Sequence, residues 1–512
     1  MMDFRYRFGD GILSEKKTTK KKKKNKYTKK VELMLKILGI FMCVMQLVAG
    51  IIGVLYLVKL DMFPTKYIIT FGIVYLVITI IFFVLQKWTT AGIVTKFMSL
   101  VVMGVTIVGC MYLDYTYKEV QEMMGIDTKV DNVHVYVLKD DPAQDLTDAA
   151  DYTFGILKVQ DRENTDATIV HINEDVGKEI ATVEYDSVTT LMQALYDQEV
   201  GCVILNSAYI SFVAEDENYK DFAAKVRSIA AKDFETVVEP EVIPEEYLYS
   251  GDRVFTIYIS GVDTRGTLNE NSNTDANILV TVNMDTRQIL MISTPRDYYI
   301  PLSISNGVCD KLTHSGIYGI DVSKETLEML YGVHIDDYVR INFVGCKDIV
   351  DELGGITVYV DSKFVWEKYV FPAGENNLDG EWALAFARCR NFPEGDRRRV
   401  KNQMKVVEAV IDKMLSKEML TNYTDVLDAV SDTVITSMTY DEIAELVKFQ
   451  LDDMREWEIL KYSVEGYDST QFTYSVPNLA TYAMIPNEES VERAKEYLRQ
   501  MYAGEKITLE QE

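Results

Sequence analysis

The chain has 512 residues, of which 48% are hydrophobic, and a formal net charge of −26 at pH 7. Residues 1–114 carry 17 Lys and Arg against 6 Asp and Glu, which leaves 36 of the 53 basic and 73 of the 79 acidic residues for the remainder. This acidic excess argues against nucleic acid as a partner of the large C-terminal part, because nucleic-acid binding needs a basic surface.

The N-terminal part is predicted to anchor the chain in a membrane. Residues 1–30 are lysine-rich and lack apolar periodicity, so they are expected to be a disordered cytoplasmic tail next to anionic lipid head groups. Three apolar runs follow, and each is close to the ~20 residues that cross a ~30 Å hydrocarbon core. They are Leu33–Val58, Tyr67–Leu85 and Ile93–Leu113. With the lysines inside, three crossings place everything after Asp114 on the extracellular face.

Residues 115–245 alternate short apolar strands with amphipathic helices, a pattern typical of a small α/β domain. The predicted strands are Val133–Leu138, Phe154–Val159, Ile180–Tyr185 and Gly201–Asn206, and the predicted helices are Ser187–Gln198 and Tyr219–Ala231. This region has no glycine-rich phosphate loop and no nucleophile motif, which indicates an accessory role. The segment Val237–Tyr249, with two prolines and several glutamates, is typical of a linker.

Charged residues stand at the ends of the next three predicted strands, Val254–Ile259, Ala276–Asn283 and Gln288–Ser293. These residues are Asp263 and Arg265, Asp275, and Arg296 with Asp297, respectively. Strand ends of one sheet can converge on a single cleft. A turn or a helix cap explains each aspartate taken alone, whereas the whole set predicts carboxylate ligands for Mg²⁺, an ion that also binds substrate phosphates.

An arginine-rich stretch follows, in which Arg388, Arg390, Arg397, Arg398 and Arg399 fall within twelve residues. Planar, permanently charged guanidinium groups suit diphosphate oxygens, although a solvated arginine face paired with surface carboxylates is an equal alternative from the residues alone. A helix predicted over Val400–Leu415 sets Arg399 and Gln403 four residues apart on one face. His314 could act as a base, but a tertiary hydrogen bond is the favoured explanation for a lone histidine.

Eight motifs occur in order between about Val254 and Leu415. They are Asp263-Thr-Arg265, Asn273-Thr-Asp275, Pro295-Arg296-Asp297, Lys311-Leu-Thr-His314, Val350-Asp-Glu-Leu-Gly-Gly355, Leu378-Asp-Gly380, Arg388-Cys-Arg390 and Asp396-Arg-Arg-Arg399 with Gln403. This ordered set resembles the LytR–CpsA–Psr family of cell-wall glycopolymer transferases. The apolar runs and the α/β region before it are similar to the family's capsule-type members.

The resemblance implies a fold and a division of the chain. The expected fold class is α/β: an α/β/α domain with a central mixed sheet and an apolar tunnel for a polyprenyl chain, a small α/β accessory domain, and three N-terminal transmembrane helices. The expected segments are a tail over 1–30, membrane helices over 31–114, the accessory domain over 115–245 and the catalytic domain over 246–512.

The resemblance also assigns roles to residues of this chain. Asp263 and Asp275 match the carboxylates that hold Mg²⁺, with Mn²⁺ as an alternative ion. The residues expected around the lipid diphosphate are Arg296, Arg388, Arg390, Arg399 and Gln403, and those expected to orient the arginines are Asp297 and Asp396. In one departure from the pattern, Asn273 stands where members often have an arginine.

The implied function is a Mg²⁺-dependent phosphotransferase. It would attach an anionic glycopolymer carried on polyprenyl diphosphate, capsule or teichoic-acid-like, to peptidoglycan, in contact with membrane lipids and with capsule or wall-assembly proteins. The alternatives are a non-catalytic polyprenyl-phosphate-binding scaffold or regulator of envelope assembly, and a hydrolase of the lipid diphosphate. Serine and zinc peptidases are disfavoured, because the sequence has neither Gly-x-Ser-x-Gly nor His-Glu-x-x-His.

Overall fold

The computed structural model describes residues 10–123, 128–213, 218–237, 253–262, 268, 270–389, 396–416 and 419–509. The chain divides into two compact units. The first comprises Met1–Glu119 with Tyr440–Asp453, and the second comprises Val120–Thr439 with Met454–Glu512.

The elements are numbered here in chain order. The helices are α1 (Asp10–Leu60), α2 (Thr65–Leu85), α3 (Thr89–Met123), α4 (Arg162–Val176), α5 (Val188–Tyr196), α6 (Phe222–Lys225), α7 (Leu312–Tyr318), α8 (Ile320–Tyr331), α9 (Phe343–Glu352), α10 (Gly380–Arg388), α11 (Asp396–Met414), α12 (Met419–Thr433), α13 (Tyr440–Asp453) and α14 (Glu488–Tyr502), with a 3₁₀ helix at Ser207–Val213. The strands are β1 (Thr128–Leu138), β2 (Thr153–Leu157), β3 (Ala181–Tyr185), β4 (Cys202–Asn206), β5 (Val226–Val237), β6 (Val254–Val262), β7 (Thr274–Asn283), β8 (Gln288–Thr294), β9 (Tyr299–Pro301), β10 (Cys309–Lys311), β11 (Asp337–Asn342), β12 (Ile356–Val360), β13 (Phe364–Trp366), β14 (Tyr369–Phe371), β15 (Gly374–Leu378), β16 (Val434–Thr436), β17 (Glu458–Ser463), β18 (Gly466–Gln471) and β19 (Thr481–Pro486).

The first unit contains three helices that are long and apolar enough to cross a membrane. A polar network joins them, because Ser99 donates to Gln46 at 2.5 Å and Gln46 donates to Thr79 at 3.1 Å. Such interhelical hydrogen bonds are typical of packed membrane helices. The segment α13 belongs to the same unit, where Lys448 lies 2.8 Å from Asp61, in the turn between α1 and α2.

The prediction of a disordered tail over residues 1–30 is wrong for residues 10–30, which form the start of α1. Lysine has a high helix propensity, and an apolar helix already formed further along the chain supplies the costly nucleus from which the lysine-rich turns extend. Residues 1–9 lie outside the described part of the chain.

In the accessory region, five described strands form a sheet in the order β3-β2-β4-β1-β5. The helix predicted over Tyr219–Ala231 is wrong: α6 covers only Phe222–Lys225, and β5 pairs with β1 along its whole length. The apolar spacing of this segment fits a helix, but pairing satisfies the backbone groups of β1, which would otherwise be a sheet edge. Most of the predicted linker, residues 238–249, lies outside the described residues.

The larger sheet of the second unit is mixed, with the described strands in the order β16-β11-β6-β7-β8-β17. The strands β6, β7 and β8 are antiparallel neighbours, β11 runs parallel to β6, and β17 runs parallel to β8. The carboxyl ends of β6, β8, β11 and β17 and the amino end of β7 therefore meet at one edge. The predicted mixed α/β fold is confirmed, and the convergence of the three strand ends follows from this pairing.

Two turns fix the helix that leads into the arginine-rich stretch. Gly354 and Gly355 follow α9 with φ of +73° and +89°, the left-handed conformation that commonly ends a helix. Asp379 caps α10 by accepting a hydrogen bond from the Trp382 amide at 2.9 Å. One face of α10, including Phe386, packs in a core with β12, β15 and α11. This packing places Arg388 at the end of a rigid helix.

Candidate active site

A cavity of about 240 Å³ lies at the edge where the strand ends of the larger sheet meet. The residues that line it are Pro295, Arg296, Asp297, Arg397, Arg398, Arg399, Val400, Lys401, Ser463, Val464, Glu465, Gly466 and Met484. Five of these side chains are cationic and two are carboxylates. Cations gathered in a cleft attract and concentrate anionic ligands.

The end of β8 carries an ion-pair cluster. Arg296 donates from Nη1 to Oδ1 of Asp275 at 2.8 Å, and the exposed fractions of the two side chains are 15% and 12%. Asp297 lies between two cations, 3.5 Å from Arg296 Nε and 3.6 Å from Lys311 Nζ. Because a buried charge without a partner is costly, this arrangement holds the guanidinium of Arg296 in one place.

Three hydrogen bonds fix the same segment, two to its backbone carbonyls and one from the side chain of Tyr298. The Thr313 amide donates to the Arg296 carbonyl at 2.7 Å, and the Met484 amide donates to the Asp297 carbonyl at 2.7 Å. The hydroxyl of Tyr298, which is fully buried, donates to the Glu465 carbonyl at 2.7 Å. The two sides of the cavity, at β8 and at β17, are therefore tied together.

The first turn of α11 forms another wall. Arg397 donates to the Gly466 carbonyl at 2.9 Å, Arg398 donates to Asp361 at 3.1 Å, and Arg399 is buried, with 4% of its surface exposed. Consecutive cations at the amino end of a helix oppose the helix dipole. A bound anion would remove this unfavourable interaction, so the placement of the arginines itself favours an anion site.

Asp361, the partner of Arg398, lies beside a second cation, Lys405. Burial alone would raise the pKa of this carboxyl, but a hydrogen bond from Lys405 and the charges of Lys405 and Arg398 together lower the pKa below its usual value. Asp361 therefore stays ionised and holds Arg398 at the cavity wall.

The structure brings four of the predicted site residues close to one cavity: Asp275, Arg296 and Asp297 in the ion-pair cluster, and Arg399 in the wall formed by α11. Gln403 is buried one turn after Arg399. Arg388 is exposed, with its guanidinium 5.0 Å from the centre of the Phe343 ring, and it is not among the described residues that line the cavity.

Three predicted site residues fall wholly or partly outside the described structure. Asp263 and Arg390 lie outside it, and only the backbone of Asp396 is described, as the first residue of α11. The roles assigned to these residues stay predictions.

Sequence reasoning missed several residues of this site. Lys311 belongs to the motif Lys311-Leu-Thr-His314, but no role at the site is predicted for it. Arg397 and Arg398 are predicted only as members of the arginine-rich stretch. Glu465 gave no signal, because only the pairing of β17 with β8 brings residues 463–466 to the cavity. His314 is buried with Nδ1 2.7 Å from Oδ1 of Asp310, so its hydrogen bond is made to a residue four positions earlier in the chain, whereas a tertiary hydrogen bond was expected.

Asp275 and the amide of Asn273 supply oxygen atoms of the kind that a magnesium ion binds. Asn273 Oδ1, two residues before Asp275, is a buried oxygen without a hydrogen-bond partner in the described structure. No group of three or more His, Cys, Asp or Glu side chains within the described ranges is arranged to hold a metal, and Asp263 lies outside those ranges. Because Mg²⁺ commonly uses one or two carboxylates and completes its shell with substrate phosphates and water, a larger protein cluster is not required.

The second unit has a mixed α/β fold, with a cationic cavity where the strand ends of its larger sheet meet. The chain also has three helices long and apolar enough to span a membrane. Together these features indicate a membrane-associated protein suited to an anionic ligand. The chain belongs to the LytR_cpsA_psr family, and the match covers residues 213–496, more than half of its length. The family resemblance predicted from the ordered motifs is confirmed.

Several relatives carry the name polyisoprenyl-teichoic acid–peptidoglycan teichoic acid transferase TagU, and two of them are described here. The protein from Bacillus cereus is 35% identical over 240 residues, which are 46% of this chain and 78% of the relative. The protein from Enterococcus faecalis is 35% identical over 196 residues, which are 38% of this chain and 64% of the relative. The crystal structure of B. subtilis TagV is similar with 28% identity and a TM-score of 0.43, covering 50% of this chain and 99% of that one.

Proposed function

We propose that this chain is a phosphotransferase that moves an anionic glycopolymer from a polyprenyl diphosphate carrier to peptidoglycan. The observation that carries the proposal is the cavity in which Arg296, Arg397, Arg398, Arg399 and Lys401 surround a space suited to a diphosphate. The names of the two TagU relatives, which specify a polyisoprenyl-linked donor and a peptidoglycan acceptor, support it.

The reaction is a displacement at phosphorus. A sugar hydroxyl of peptidoglycan attacks the phosphorus atom attached to the glycopolymer, and the bond from that phosphorus to the bridging oxygen breaks. The bridging oxygen leaves with polyprenyl phosphate, and the hydroxyl proton passes to a base. The product carries a phosphodiester between polymer and wall, so the enzyme must chiefly position the reactants and stabilise the negative charge that develops.

The arginines perform the charge stabilisation. Arg296, held against Asp275 and Asp297, and Arg399, buried in the wall formed by α11, present fixed guanidinium groups that can bind diphosphate oxygens in a bidentate way. Asp275 and Asp263 would hold Mg²⁺, which when bound neutralises phosphate charge as a Lewis acid. Arg388 and Arg390 would contact the donor from the end of α10.

Glu465 would receive the proton of the acceptor hydroxyl. Of the two carboxylates that line the cavity, Asp297 lies between Arg296 and Lys311, whereas Glu465 is exposed and makes no side-chain ion pair within the described structure. Its backbone is held by Tyr298 through the carbonyl and by Ser490 through the amide, at 2.7 Å and 2.9 Å. A carboxylate held at the rim of a phosphate site suits a general base.

The membrane helices would keep the enzyme beside its lipid substrate. With the lysine-rich segment in the cytoplasm, three crossings put the cavity-bearing unit on the extracellular face, where peptidoglycan is assembled. Reaction of single cysteines at residues 26 and 495 with a membrane-impermeant maleimide tests this topology. Labelling of the cysteine at 495 alone in intact cells is expected.

One experiment separates the proposed function from its alternatives. The full chain in lipid nanodiscs is supplied with a synthetic polyprenyl-diphosphate-linked oligosaccharide, an oligomeric peptidoglycan acceptor and Mg²⁺. Formation of the phosphodiester-linked product supports the transferase. Release of the oligosaccharide phosphate to water would indicate a hydrolase, and binding of the donor without turnover would indicate a scaffold.

A further inference from the structure

A buried carboxylate of the accessory sheet contacts the segment that leads into the candidate active site. Asp131, on β1, accepts two hydrogen bonds at the same oxygen, Oδ1. One comes from Asn206 at 3.0 Å, at the end of β4, and the other comes from Asn271 at 2.7 Å, three residues before β7. All three side chains are at least nine-tenths buried. A charge-assisted hydrogen bond in such a site is stronger than a neutral one at the surface.

The larger sheet holds the same segment from its other side. The guanidinium of Arg340, on β11, donates to the Glu270 carbonyl and to the Ser272 hydroxyl, both at 2.9 Å. Glu270 also forms a bridge with Val130 on β1. Glu270 and Ser272 thus contact Arg340 of the larger sheet, whereas Asn271, which lies between them, contacts Asp131 of the accessory sheet. The segment is therefore held by both sheets.

Close packing against α7 removes the remaining freedom. The Ser272 amide donates to the Gly316 carbonyl at 3.2 Å, and a Cβ on Gly316 would lie 2.5 Å from the Ser272 carbonyl oxygen. The hydroxyl of Thr274, the first residue of β7, forms hydrogen bonds with Tyr258 and Asn277 at 3.0 Å and 2.9 Å. Asp275 follows directly, with Oδ1 on Arg296. Its position thus depends on the segment from Glu270 onward.

We propose that Asp131 and Asn271 are positioning residues of the transfer reaction, through which the accessory sheet fixes Asp275 against Arg296. The proposal rests on the proposed function for its kinetic readout, but its structural readout does not depend on activity. It assigns a task to the accessory region: this region holds the start of β7 in place, at the point where the residues of the candidate site converge.

The expected size of the effect follows from geometry. A displacement of about 1 Å in a reacting group can lower a rate by ~100-fold, so loosening of this segment should lower the turnover number by about tenfold or more. The Michaelis constant for the lipid donor should change by less than about threefold, because Arg399 and its cationic neighbours on α11, which would bind the donor, lie outside residues 270–277.

The test compares Asp131→Ala, Asn271→Ala and the double variant with Asn173→Ala in the full chain in nanodiscs. Asn173 is a matched control, because its Oδ1 accepts a hydrogen bond from the Ile180 amide at 2.8 Å entirely within the accessory region. Each protein is measured for thermal unfolding, for amide hydrogen exchange over residues 270–277, and for donor transfer. Asp131→Asn, which keeps an acceptor oxygen for Asn271, is included in case the alanine variants fail to fold.

Faster exchange over residues 270–277 and a lower turnover number are expected in both single variants, with the double variant no worse than the more impaired single one. Asn173→Ala should lose stability without either effect. The proposal would be overturned if folded Asp131→Ala had the exchange rate and turnover number of the wild type. It would also be overturned if Asn173→Ala changed both quantities as much as Asp131→Ala does. If none of the alanine variants folds, Asp131→Asn is compared with the wild type: its neutral amide oxygen accepts a weaker hydrogen bond from Asn271, so faster exchange over residues 270–277 and a lower turnover number are expected, and wild-type values would overturn the proposal. If the wild type shows no transfer, the proposed function fails, while the exchange data still decide this inference.

Discussion

Arg296 Nη1 lies 2.8 Å from Asp275 Oδ1, and this contact continues the pairing of β7 with β8 beyond the last pair of the ladder. That pair is Asn277 with Thr294, so Asp275 and Arg296 each lie two residues further on. In antiparallel strands, such positions lie opposite each other on the same face of the sheet. Register in the sheet thus decides which carboxylate meets which arginine.

Loss of Arg399 should impair both donor binding and transfer. Removing this buried guanidinium removes a fixed hydrogen-bonding cation that stabilises the negative charge developing on the phosphate. A fall in the turnover number of about 100-fold is therefore expected for Arg399→Ala. Transfer kinetics in nanodiscs measure this change. Arg253→Ala is the control, since Arg253 pairs with Asp285 at the opposite edge of the sheet and should transfer normally. Equal turnover in the two variants would contradict the role assigned to Arg399.

Magnesium dependence can be tested at Asp275. Chelation with EDTA should abolish transfer, and Asp275→Asn should weaken Mg²⁺ binding by about tenfold or more, because replacing an ionic ligand affects affinity at least as much as altering its outer-shell partners. Calorimetric titration of Mg²⁺ into the full chain with inorganic pyrophosphate measures the affinity. The exposed carboxylate variant Asp285→Asn should bind Mg²⁺ like the wild type. Full transfer in EDTA would refute the metal requirement.

Glu465→Gln should slow transfer while leaving donor binding intact. The amide keeps the size of the side chain but cannot take up the proton of the attacking sugar hydroxyl. Loss of a general base lowers rates by about 100-fold or more. Single-turnover transfer and equilibrium binding of the lipid donor separate the two effects. Glu488→Gln, a carboxylate change at the start of α14, is the control. A normal single-turnover rate in Glu465→Gln would exclude it as the base.

The two glycines after α9 offer a matched test of stability. Both have positive φ, so alanine at either position should cost about 1–2 kcal/mol in the free energy of unfolding. A Cβ on Gly355 would also lie 2.9 Å from the Leu378 carbonyl oxygen, whereas a Cβ on Gly354 meets nothing within 4 Å. Gly355→Ala should therefore be the more destabilising, by a further ~1–3 kcal/mol. Thermal unfolding of the two variants measures the difference, and the reverse order would contradict the structure.

The buried Asp310 predicts a specific loss of stability in acid. Burial would raise its pKa, but the charge and hydrogen bond of His314, with hydrogen bonds from Ser475 and the Lys311 amide, lower the pKa overall. A carboxylate with a lowered folded pKa stabilises the fold above its unfolded pKa of ~3.9, and this stabilisation is lost as pH falls through the folded value.

The free energy of unfolding of wild type should therefore exceed that of Asp310→Asn at pH 7, and the difference should shrink below pH ~3.9. Chemical denaturation at several pH values measures it. Asp285→Asn, a change of the same kind at an exposed site, is measured in parallel as the control. A difference for Asp310→Asn that is constant from pH 7 to pH 3 would show that ionisation of Asp310 does not contribute.

The sequence predicted those features that depend on local patterns. Apolar length predicted the three long helices, and short runs of β-branched and other apolar residues predicted β6, β7 and β8. The prediction failed at β5, where a segment with helix-like apolar spacing is recruited as the partner of β1. It also failed at residues 10–30, where a charged segment extends an apolar helix.

The sequence by itself determined the types of residue available to the site, because arginines and aspartates at strand and helix ends can be counted along the chain. Only the tertiary structure decided which of them meet. The pairing of β17 with β8 brings residues 463–466 to a cavity otherwise formed by residues 295–297, 397–401 and Met484, and Asp131 meets Asn271 across 140 residues. Such contacts depend on strand register and burial, which are global properties that local spacing does not encode.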